Sequence, residues 1–330
     1  TIRGILAHQI RSVILSFRLT VSRPKAHGLQ PVGSNDHNID PTKNIKYRQA
    51  LTNMYYFDPH IHMVSRTTDD YETLAKMGCV GMSEPAFWAG FDRGSVDSFR
   101  DYFCQLTDFE QKRAGMYGLK HFTWMCINAK EAENVQLSRE VIKIIPDFLD
   151  CPNVLGIGEI GLNKNTKNEA TIFLEHIDLA VEYSQQILIH TPHLEDKFQG
   201  TRMILDMLNG DSRLERNRVL VDHVEEHTVR HVLDDGYWAG MTLYPVSKCT
   251  PARAVDLIEM YGPERLLVNS AGDWGPSKPT AVPDFILEMR RRGHPESLVR
   301  KIVYENPIEF FSQSSNFSFT PPNVPEAAIQ

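Results

Sequence analysis

The sequence predicts an α/β protein folded as a (β/α)8 TIM barrel, and three observations indicate it. From residue 54 onward, apolar runs alternate with amphipathic helical patterns with little interruption. Runs such as Gln186-Ile187-Leu188-Ile189 are continuously apolar, which is typical of parallel strands buried on both faces. Eight strand–helix units in about 260 residues match the usual size of this barrel. An open doubly wound sheet is the alternative, but no Gly-rich phosphate turn follows the first predicted strand.

The predicted elements follow these patterns in chain order. The eight strands cover residues 54–63, 79–87, 120–128, 154–162, 186–192, 218–225, 238–245 and 265–271. The helices carry apolar stripes at helical spacing, as Phe173, Ile177 and Val181 do in one of them. These helices cover residues 67–77, 95–116, 138–150, 167–184, 197–209, 227–235, 251–261, 280–292 and 295–311.

The first 35 residues differ from the rest in charge, because they contain basic residues and no acidic residue. The whole chain has a net charge of −7, so the remainder carries 30 basic and 42 acidic residues, a net charge of −12. Such a leader is typical of an organelle transit peptide, although an unstructured extension or a misassigned start explains it equally well. We expect residues 1–45 to form a leader and linker, residues 46–312 the barrel, and residues 313–330 a tail.

The composition also limits the cellular setting. No apolar run approaches the length of a membrane span. The five cysteines are widely spaced and form no CxxC motif, which favours reduced thiols in a reducing compartment. We therefore expect a cytoplasmic protein, or a plastid or mitochondrial one if the leader is a transit peptide.

Ionisable side chains lie at or just beyond the ends of five of the predicted strands. His60 and His62 end strand 1, one residue apart and so on one face of a strand. The others are Glu159 on strand 4, His190 on strand 5, His223 at the end of strand 6 and Asp273 after strand 8. Each has a simpler explanation alone, such as a hydrogen-bonded core histidine or a carboxylate that caps a helix or a turn. Together they lie at the face where barrel enzymes place their sites, and a divalent metal is the partner that suits them all.

The residue types indicate metal-dependent hydrolysis. Imidazole and carboxylate ligands suit Zn²⁺ best, with Mg²⁺ or Mn²⁺ as alternatives, and the site has room for one or two ions. A central carboxylate such as Glu159 can bridge two ions. A further carboxylate, Asp273, can bind an ion and accept the proton of the attacking water. We therefore predict that Glu159 and Asp273 are catalytic.

Several motifs together resemble the TatD-like metal-dependent hydrolases of the amidohydrolase superfamily. They are His60-Ile61-His62, Gly158-Glu159-Ile160-Gly161-Leu162, His190-Thr191-Pro192, Asp222-His223, the Asp after strand 8, and the ending Asn306-Pro307-Ile308-Glu309-Phe310-Phe311. The resemblance spans about residues 54–312 and implies a (β/α)8 barrel with a one- or two-metal site. By matching position, it implies that His60, His62 and Asp273 hold one ion, that His190 and His223 hold the second, and that Glu159 bridges them.

The chain departs from that family at two positions in particular. Where better known members end strand 8 with a Glu-Thr-Asp-type motif, this chain has Asn269-Ser270-Ala271, and Asp273 comes two residues later. Glu84, at the end of strand 2, is additional to the pattern and is predicted to contact substrate or metal, or else to lie at a helix N-terminus. His193 is a further candidate for substrate binding. These segments indicate a divergent branch, such as the hydrolase of ebo-type gene clusters.

The predicted function is hydrolysis of an ester-type bond by metal-activated water. A nuclease needs a basic groove, whereas the catalytic part of the chain is acidic and Arg66, Arg93, Lys164 and Lys248 are scattered over its strand ends. We therefore favour a small-molecule substrate over nucleic acid. The altered strand 8 motif leaves a second hypothesis, a non-catalytic barrel that binds metal or a metabolite in a biosynthetic or transport assembly.

Overall fold

The computed structural model describes residues 54–192 and 195–320. Within them, eight parallel strands form one sheet in the order β1 to β8, each paired with the next along the chain. The strands are β1 Tyr56–Asp58, β2 Cys79–Pro85, β3 Lys120–Met125, β4 Val154–Gly161, β5 Gln186–His190, β6 Val219–Val221, β7 Trp238–Thr242 and β8 Leu266–Asn269. The predicted (β/α)8 barrel is therefore confirmed, in a nearly closed form. The predicted leader, residues 1–45, lies outside the described residues.

Helices follow the strands as the sequence predicts, but several are interrupted. They are α1 Thr68–Lys76, α2 Val96–Cys104, α3 Glu110–Gly115, α4 Val135–Ile142, α5 Pro146–Leu149, α6 Lys167–Glu182, α7 Lys197–Asn209, α8 Val229–Asp234, α9 Pro251–Tyr261, α10 Ala281–Arg291, α11 Glu296–Arg300 and α12 Asn306–Phe311. Single π-helical turns, Gln105–Phe109 and Lys301–Glu305, join α2 to α3 and α11 to α12. Among the described helices, none is long and apolar enough to cross a membrane.

Strand β1 is shorter than predicted, since it ends at Asp58 and leaves His60 and His62 beyond it. Pro59 has no N–H to donate to a strand ladder, which explains the early end. The following backbone stays extended between its neighbours: Ile61 N donates to Ser83 O at 3.0 Å, and His62 N donates to Gly272 O at 2.8 Å. The segment that carries both histidines is thus held from two sides.

The same segment links the last strand to the first. Ala271 N donates to His60 O at 2.8 Å, and Ser270 N donates to the Asp58 carboxylate at 3.2 Å. The barrel is therefore joined between β8 and β1 by residues just beyond the strand ends. This junction lies at the face where the histidines lie.

Aromatic and leucine side chains fill the opposite end of the barrel. They are Phe57, Phe122, Trp124, Leu155, Leu188, Leu220, Trp238 and Leu267 from the strands, with Phe310 and Phe311 from α12. The rings of Phe57 and Phe311 lie 5.2 Å apart. Beyond α12, Phe317 and Phe319 pack against the same cluster, so the described part of the predicted tail lies against the barrel. This apolar plug leaves only the other face for a polar site.

Candidate metal centre

Three strand ends bring four imidazoles to one face of the barrel. His190 is the last residue of β5, and His223 lies two residues beyond β6. His60 and His62 lie on the extended segment after β1. All four side chains are buried. Since the carboxyl ends of parallel strands meet at one face, residues from distant parts of the chain converge there.

Glu159 reaches this face because β4 is irregular near its end. Its pairing with β5 shifts register between Ile157 and Ile160, so an extra residue bulges from the ladder. The glycines on either side allow β5 to approach closely. A Cβ at Gly156 would lie 2.3 Å from Gln186 O, and one at Gly161 would lie 2.0 Å from His190 O. The glycine-rich strand 4 motif therefore has a structural reason in addition to a functional one.

The ligand atoms form two groups that share Glu159. Nε2 of His60 lies 2.9 Å from Nε2 of His62, and Nε2 of His223 lies 3.0 Å from Nδ1 of His190. Oε2 of Glu159 lies 3.1 Å from His190 Nδ1 and 3.8 Å from His60 Nε2. Within the group His60, His62 and Glu159, and within the group Glu159, His190 and His223, the ligand atoms lie within 4.8 Å of one another. This is an arrangement in which one carboxylate can serve two ions.

Two side chains behind the cluster orient its histidines. Asp222 Oδ2 lies 2.5 Å from His60 Nδ1, and an ionised carboxylate only accepts, so the proton of His60 belongs on Nδ1. Thr242 Oγ1 lies 2.6 Å from His223 Nδ1 and donates its own proton to Asn269 or Asp222, so it accepts from His223. In both histidines the Nε2 lone pair is left for the cluster. Such partners fix the tautomer of metal-binding histidines.

Burial and neighbouring charges set the protonation of the cluster. Burial holds the pKa of His62 and of His223 well below the ordinary value, and burial also lowers the pKa of His190. Burial alone would raise the pKa of Glu159, but the neighbouring histidines hold it well below its usual range. For His60, burial opposes the nearby carboxylates, which prevail and raise its pKa. Three of the four imidazoles thus favour the neutral form beside an ionised carboxylate, which is the state that metal binding needs, whereas His60 would have to release a proton when an ion binds.

A cavity of about 290 Å³ opens above the cluster. Its aromatic walls are Phe87, Trp88, Tyr244 and Trp274, and the Phe87 ring stacks on His62 at 4.0 Å. Lys130 and Lys248 line the cavity as well, and burial lowers the pKa of Lys248 to about 8.

Asp273 lines this cavity but stands apart from the ligand groups. Its Oδ1 accepts from Gly275 N at 2.8 Å and from Tyr244 O–H at 3.0 Å. Among the described residues, the groups of three ligand atoms do not include it. The structure therefore brings five of the six predicted ligands together and places the sixth, Asp273, in the cavity wall.

Of the two predicted substrate-binding residues, the structure describes only Glu84. Glu84 is fully buried below the cavity lining, where it accepts from Val64 N at 2.7 Å and lies 2.7 Å from His121 Nε2. Since Val64 follows His62 closely, this bond ties the histidine segment to β2. His193 lies outside the described residues.

Two residues near the site had no role in the sequence interpretation. Asn128, after β3, donates to Glu159 Oε1 at 3.3 Å. Asp222 was part of a motif but was given no function, although it holds His60 and accepts from Asn269 Nδ2 at 2.9 Å. Both follow apolar runs at strand ends, and that position was the signal that could have identified them.

Comparison with known proteins agrees with this geometry. Residues 57–312 match the family described as TatD-related DNase. Over 256 residues the chain is 28% identical to an uncharacterized metal-dependent hydrolase from Methanocaldococcus jannaschii, which covers 77% of this chain and 98% of that protein.

Solved structures share the fold. A TatD-like protein from Archaeoglobus fulgidus gives a TM-score of 0.64 at 23% identity, over 78% of this chain and 100% of that one. An organophosphorus hydrolase from Deinococcus radiodurans gives a TM-score of 0.55 at 15% identity, over 80% and 93% of the two chains. The resemblance seen in the sequence motifs is confirmed by the family match, which covers most of the chain. The protein therefore belongs to the TatD-related DNase family and is a TatD-like metal-dependent hydrolase.

Proposed function

We propose that this hydrolase uses one or two divalent ions to cleave an ester-type bond of a small molecule: a phosphoester, a carboxylic ester, a lactone or an amide. One observation carries the proposal. His60 and His62 on one side, and His190 and His223 on the other, each place their ligand atoms within 4.8 Å of a carboxylate oxygen of Glu159. Such a shared carboxylate is suited to a two-metal hydrolytic site.

The donor set fits a divalent metal ion. Nitrogen ligands with a carboxylate favour Zn²⁺, and Mn²⁺ or Mg²⁺ are the alternatives. His60 and His62 would hold one ion, His190 and His223 the second, and Glu159 both. A divalent ion bound there would supply Lewis-acid chemistry that activates water and polarises the bond to be cleaved.

The remaining catalytic work falls to side chains of this protein. Asp222 keeps the proton of His60 on Nδ1, and Glu159 stays ionised. We propose that Asp273 accepts the proton of the attacking water at Oδ2, while Tyr244 and Gly275 hold its Oδ1. The resemblance to the family implies that Asp273 would also bind the ion held by His60 and His62. The aromatic cavity walls would limit access of bulk water to the reacting groups.

A small molecule is favoured over nucleic acid for two reasons. Residues 36–330 carry a net charge of −12, which opposes the binding of a polyanionic backbone. The cavity of about 290 Å³ is also close to the lower limit for small-molecule sites. Cleavage of DNA, which the family description names, is thus the less favoured activity for this chain.

One observation favours a second candidate function. At the end of β8, where a carboxylate is expected, Asn269 donates to Asp222 instead. A barrel without a working base would bind metal or a metabolite without turnover, as a component of a biosynthetic or transport assembly.

Metal analysis followed by a substrate panel tests the proposal. Purified protein should contain one or two divalent ions per chain, and with Zn²⁺ or Mn²⁺ it should hydrolyse at least one generic phosphoester, carboxylic ester, lactone or amide. His60→Ala should lose most of the activity, and His231→Ala, a surface histidine on α8, should retain it. Stoichiometric metal without turnover on any substrate would favour the binding function. Absence of bound metal would refute both.

A further inference from the structure

Lys248 places a positive charge in the cavity without an acidic partner. Its Nζ lies 3.2 Å from Nδ1 and 3.3 Å from Nε2 of His223, and 5.5 Å from the centre of the Tyr244 ring. Within the described residues, it makes no ion pair with a carboxylate. Lys197, by contrast, is buried and pairs with Glu225 at 3.2 Å. Glu159, Asp222 and Asp273 act on this ammonium only from beyond ion-pair distance. Because charges withdrawn from solvent are normally paired, an anion could bind there as its direct partner.

The backbone around Lys248 is fixed in place. Arg253, on α9, donates to Lys248 O at 2.8 Å. Lys248 N donates to Tyr244 O at 3.3 Å, and Cys249 N donates to Thr242 O at 3.1 Å. The lysine therefore follows β7 on a loop with hydrogen bonds on both sides. The contacts of its ammonium with His223 and the Tyr244 ring place the charge beside the candidate metal centre, and a fixed backbone reduces the cost of ordering it for binding.

The charges of the cavity complement an anion. Its acidic side chains are Glu159 and Asp273. The histidines contact the Glu159 carboxylate, and Tyr244 and Gly275 hold one oxygen of Asp273. Divalent ions at the cluster would add further positive charge next to Lys248. A bound anionic group would then supply a direct counter-ion.

The mouth of the same cavity suits a flat apolar group. The indole rings of Trp88 and Trp274 lie 5.8 Å apart with an angle of 59° between their planes. Trp88 is held by a hydrogen bond from its Nε1 to Asp92 at 2.9 Å, and Lys130 Nζ lies 4.9 Å from its ring centre. Trp274 remains 52% exposed. Two indoles at a cavity mouth offer surface on which an aromatic or planar group can stack.

We propose that Lys248 determines specificity by binding an anionic oxygen of the substrate beside the scissile bond, while Trp88 and Trp274 receive a planar apolar part of the same molecule. The substrate class is then a small anionic ester with an aromatic or planar group. This inference rests on the proposed hydrolase function and narrows its substrate. Phosphate and carboxylate share the required chemistry, and the experiment below distinguishes them.

Binding to the zinc-loaded protein tests this assignment without turnover. Phenylphosphonate, benzoate and the neutral benzyl alcohol would be titrated by calorimetry and by tryptophan fluorescence. We expect the preferred anion to bind at least about tenfold more tightly than benzyl alcohol, because a hydrogen bond to a charged group adds that much affinity. The tighter of the two anions identifies phosphate or carboxylate as the charged group of the substrate.

Variants at Lys248 provide the decisive comparison. Lys248→Met should weaken anion binding by about tenfold or more and leave benzyl alcohol unchanged, and Lys248→Arg should retain most of the affinity. Lys164→Met, an exposed lysine after β4, is the matched control and should bind as the wild type does. With any substrate that the wild type hydrolyses, Lys248→Met should raise KM more than it lowers kcat.

Two results would overturn the inference. One is equal anion affinity in Lys248→Met and the wild type. The other is loss of zinc from Lys248→Met, which would show that the lysine acts on His223 rather than on substrate. Failure of the hydrolase function has a different signature, since a protein that turns over no substrate still reports on Lys248 through anion binding.

Discussion

Asp222 determines which nitrogen of His60 can bind a metal. Its Oδ2 lies 2.5 Å from His60 Nδ1, while its Oδ1 accepts from His223 N at 2.7 Å. In Asp222→Asn, an amide nitrogen facing His60 would force the imidazole proton to Nε2, where it would block the lone pair. We expect metal affinity to fall about 10–100-fold, as is usual for such partners. Competition with a zinc indicator measures the loss, and excess metal should restore activity.

Asp234→Asn is the control for this substitution. Asp234 is an exposed residue on α8 that pairs with Arg230, so its loss should not change metal affinity. Unchanged zinc affinity in Asp222→Asn would contradict the role given to Asp222.

The sequence indicates that Asp222 and His223 lie together at one strand end, but it does not indicate that Asp222 contacts His60. Alternation along a strand places neighbouring residues on opposite faces. At His223 the backbone leaves strand geometry, with φ of 62°, and both side chains then serve one site. The histidines were predictable because each follows a buried apolar run, where an unpartnered imidazole is unfavourable. The hydrogen bond between Asp222 and His60 joins residues 162 positions apart, which no local pattern reveals.

His176, on α6, should make stability depend on pH. Its Nδ1 donates to Ile172 O at 2.8 Å, and its Nε2 accepts from Ile127 N at 3.2 Å, so the buried ring is neutral. Burial lowers its pKa to about 4. This pKa lies below the pKa of histidine in the unfolded chain, about 6.5. The stabilisation that the neutral His176 gives the folded protein is therefore complete above about pH 6.5 and is lost as the pH falls toward 4.

Urea unfolding between pH 7 and pH 4 measures this effect. Between pH 7 and pH 4, the free energy of unfolding of the wild type should fall by up to about 3 kcal/mol more than that of His176→Gln, because glutamine does not titrate. His231→Gln, on the protein surface, should follow the wild type. Parallel stability curves for the wild type and His176→Gln would show that His176 does not titrate in this way.

At the scale of elements, every predicted strand forms. Where the observed bounds of strands and helices differ from the predicted ones, the causes are local. Strand β1 ends at Asp58 because Pro59 follows it. The helix predicted over 95–116 is interrupted by the π-helical turn Gln105–Phe109, and the one predicted over 138–150 is divided before Pro146. A break at proline can be anticipated. The π-helical turn cannot, since its residues continue the helical pattern.

Helix α12 closes the barrel end opposite the site. Truncating one of its buried aromatic side chains should lower the stability of the fold substantially. Phe311 is fully buried, with its ring 5.2 Å from Phe57 and 6.1 Å from Trp124. Phe311→Ala should lower the free energy of unfolding by about 3–5 kcal/mol, because it leaves a cavity among rigid rings. Phe109→Ala, at a ring that is 55% exposed, should cost about 0.5 kcal/mol or less. Chemical unfolding of both variants measures the difference. Equal losses of unfolding free energy would contradict the conclusion that Phe311 packs in the apolar core at this end of the barrel.

At the scale of the whole molecule, the order of strands and the face of the site were predictable, whereas the distances within the site were not. The alternation of buried strands and helices restricts the chain to few arrangements, and a parallel barrel gathers the strand ends at one face. The position of Asp273 illustrates the limit. Its distance from the histidines depends on the turn after β8, where Gly275 N and Tyr244 O–H hold the carboxylate. Spacing in the sequence does not specify such a turn.

If the proposed ions bind, metal should stabilise the whole barrel, because the candidate ligands come from four strands that meet only in the folded chain. His60 follows β1, Glu159 lies on β4, His190 ends β5 and His223 follows β6. An ion that binds only the folded state, at a free concentration of about 1,000 times its Kd, adds about 4 kcal/mol. In a domain of this size that raises Tm by roughly 10 °C. Thermal melts with zinc and with chelator measure the shift.

The His60→Ala/His223→Ala double variant should show no rise in Tm with zinc, whereas His231→Ala should show the same rise as the wild type. An equal shift in the double variant would mean that zinc stabilises the protein from another site.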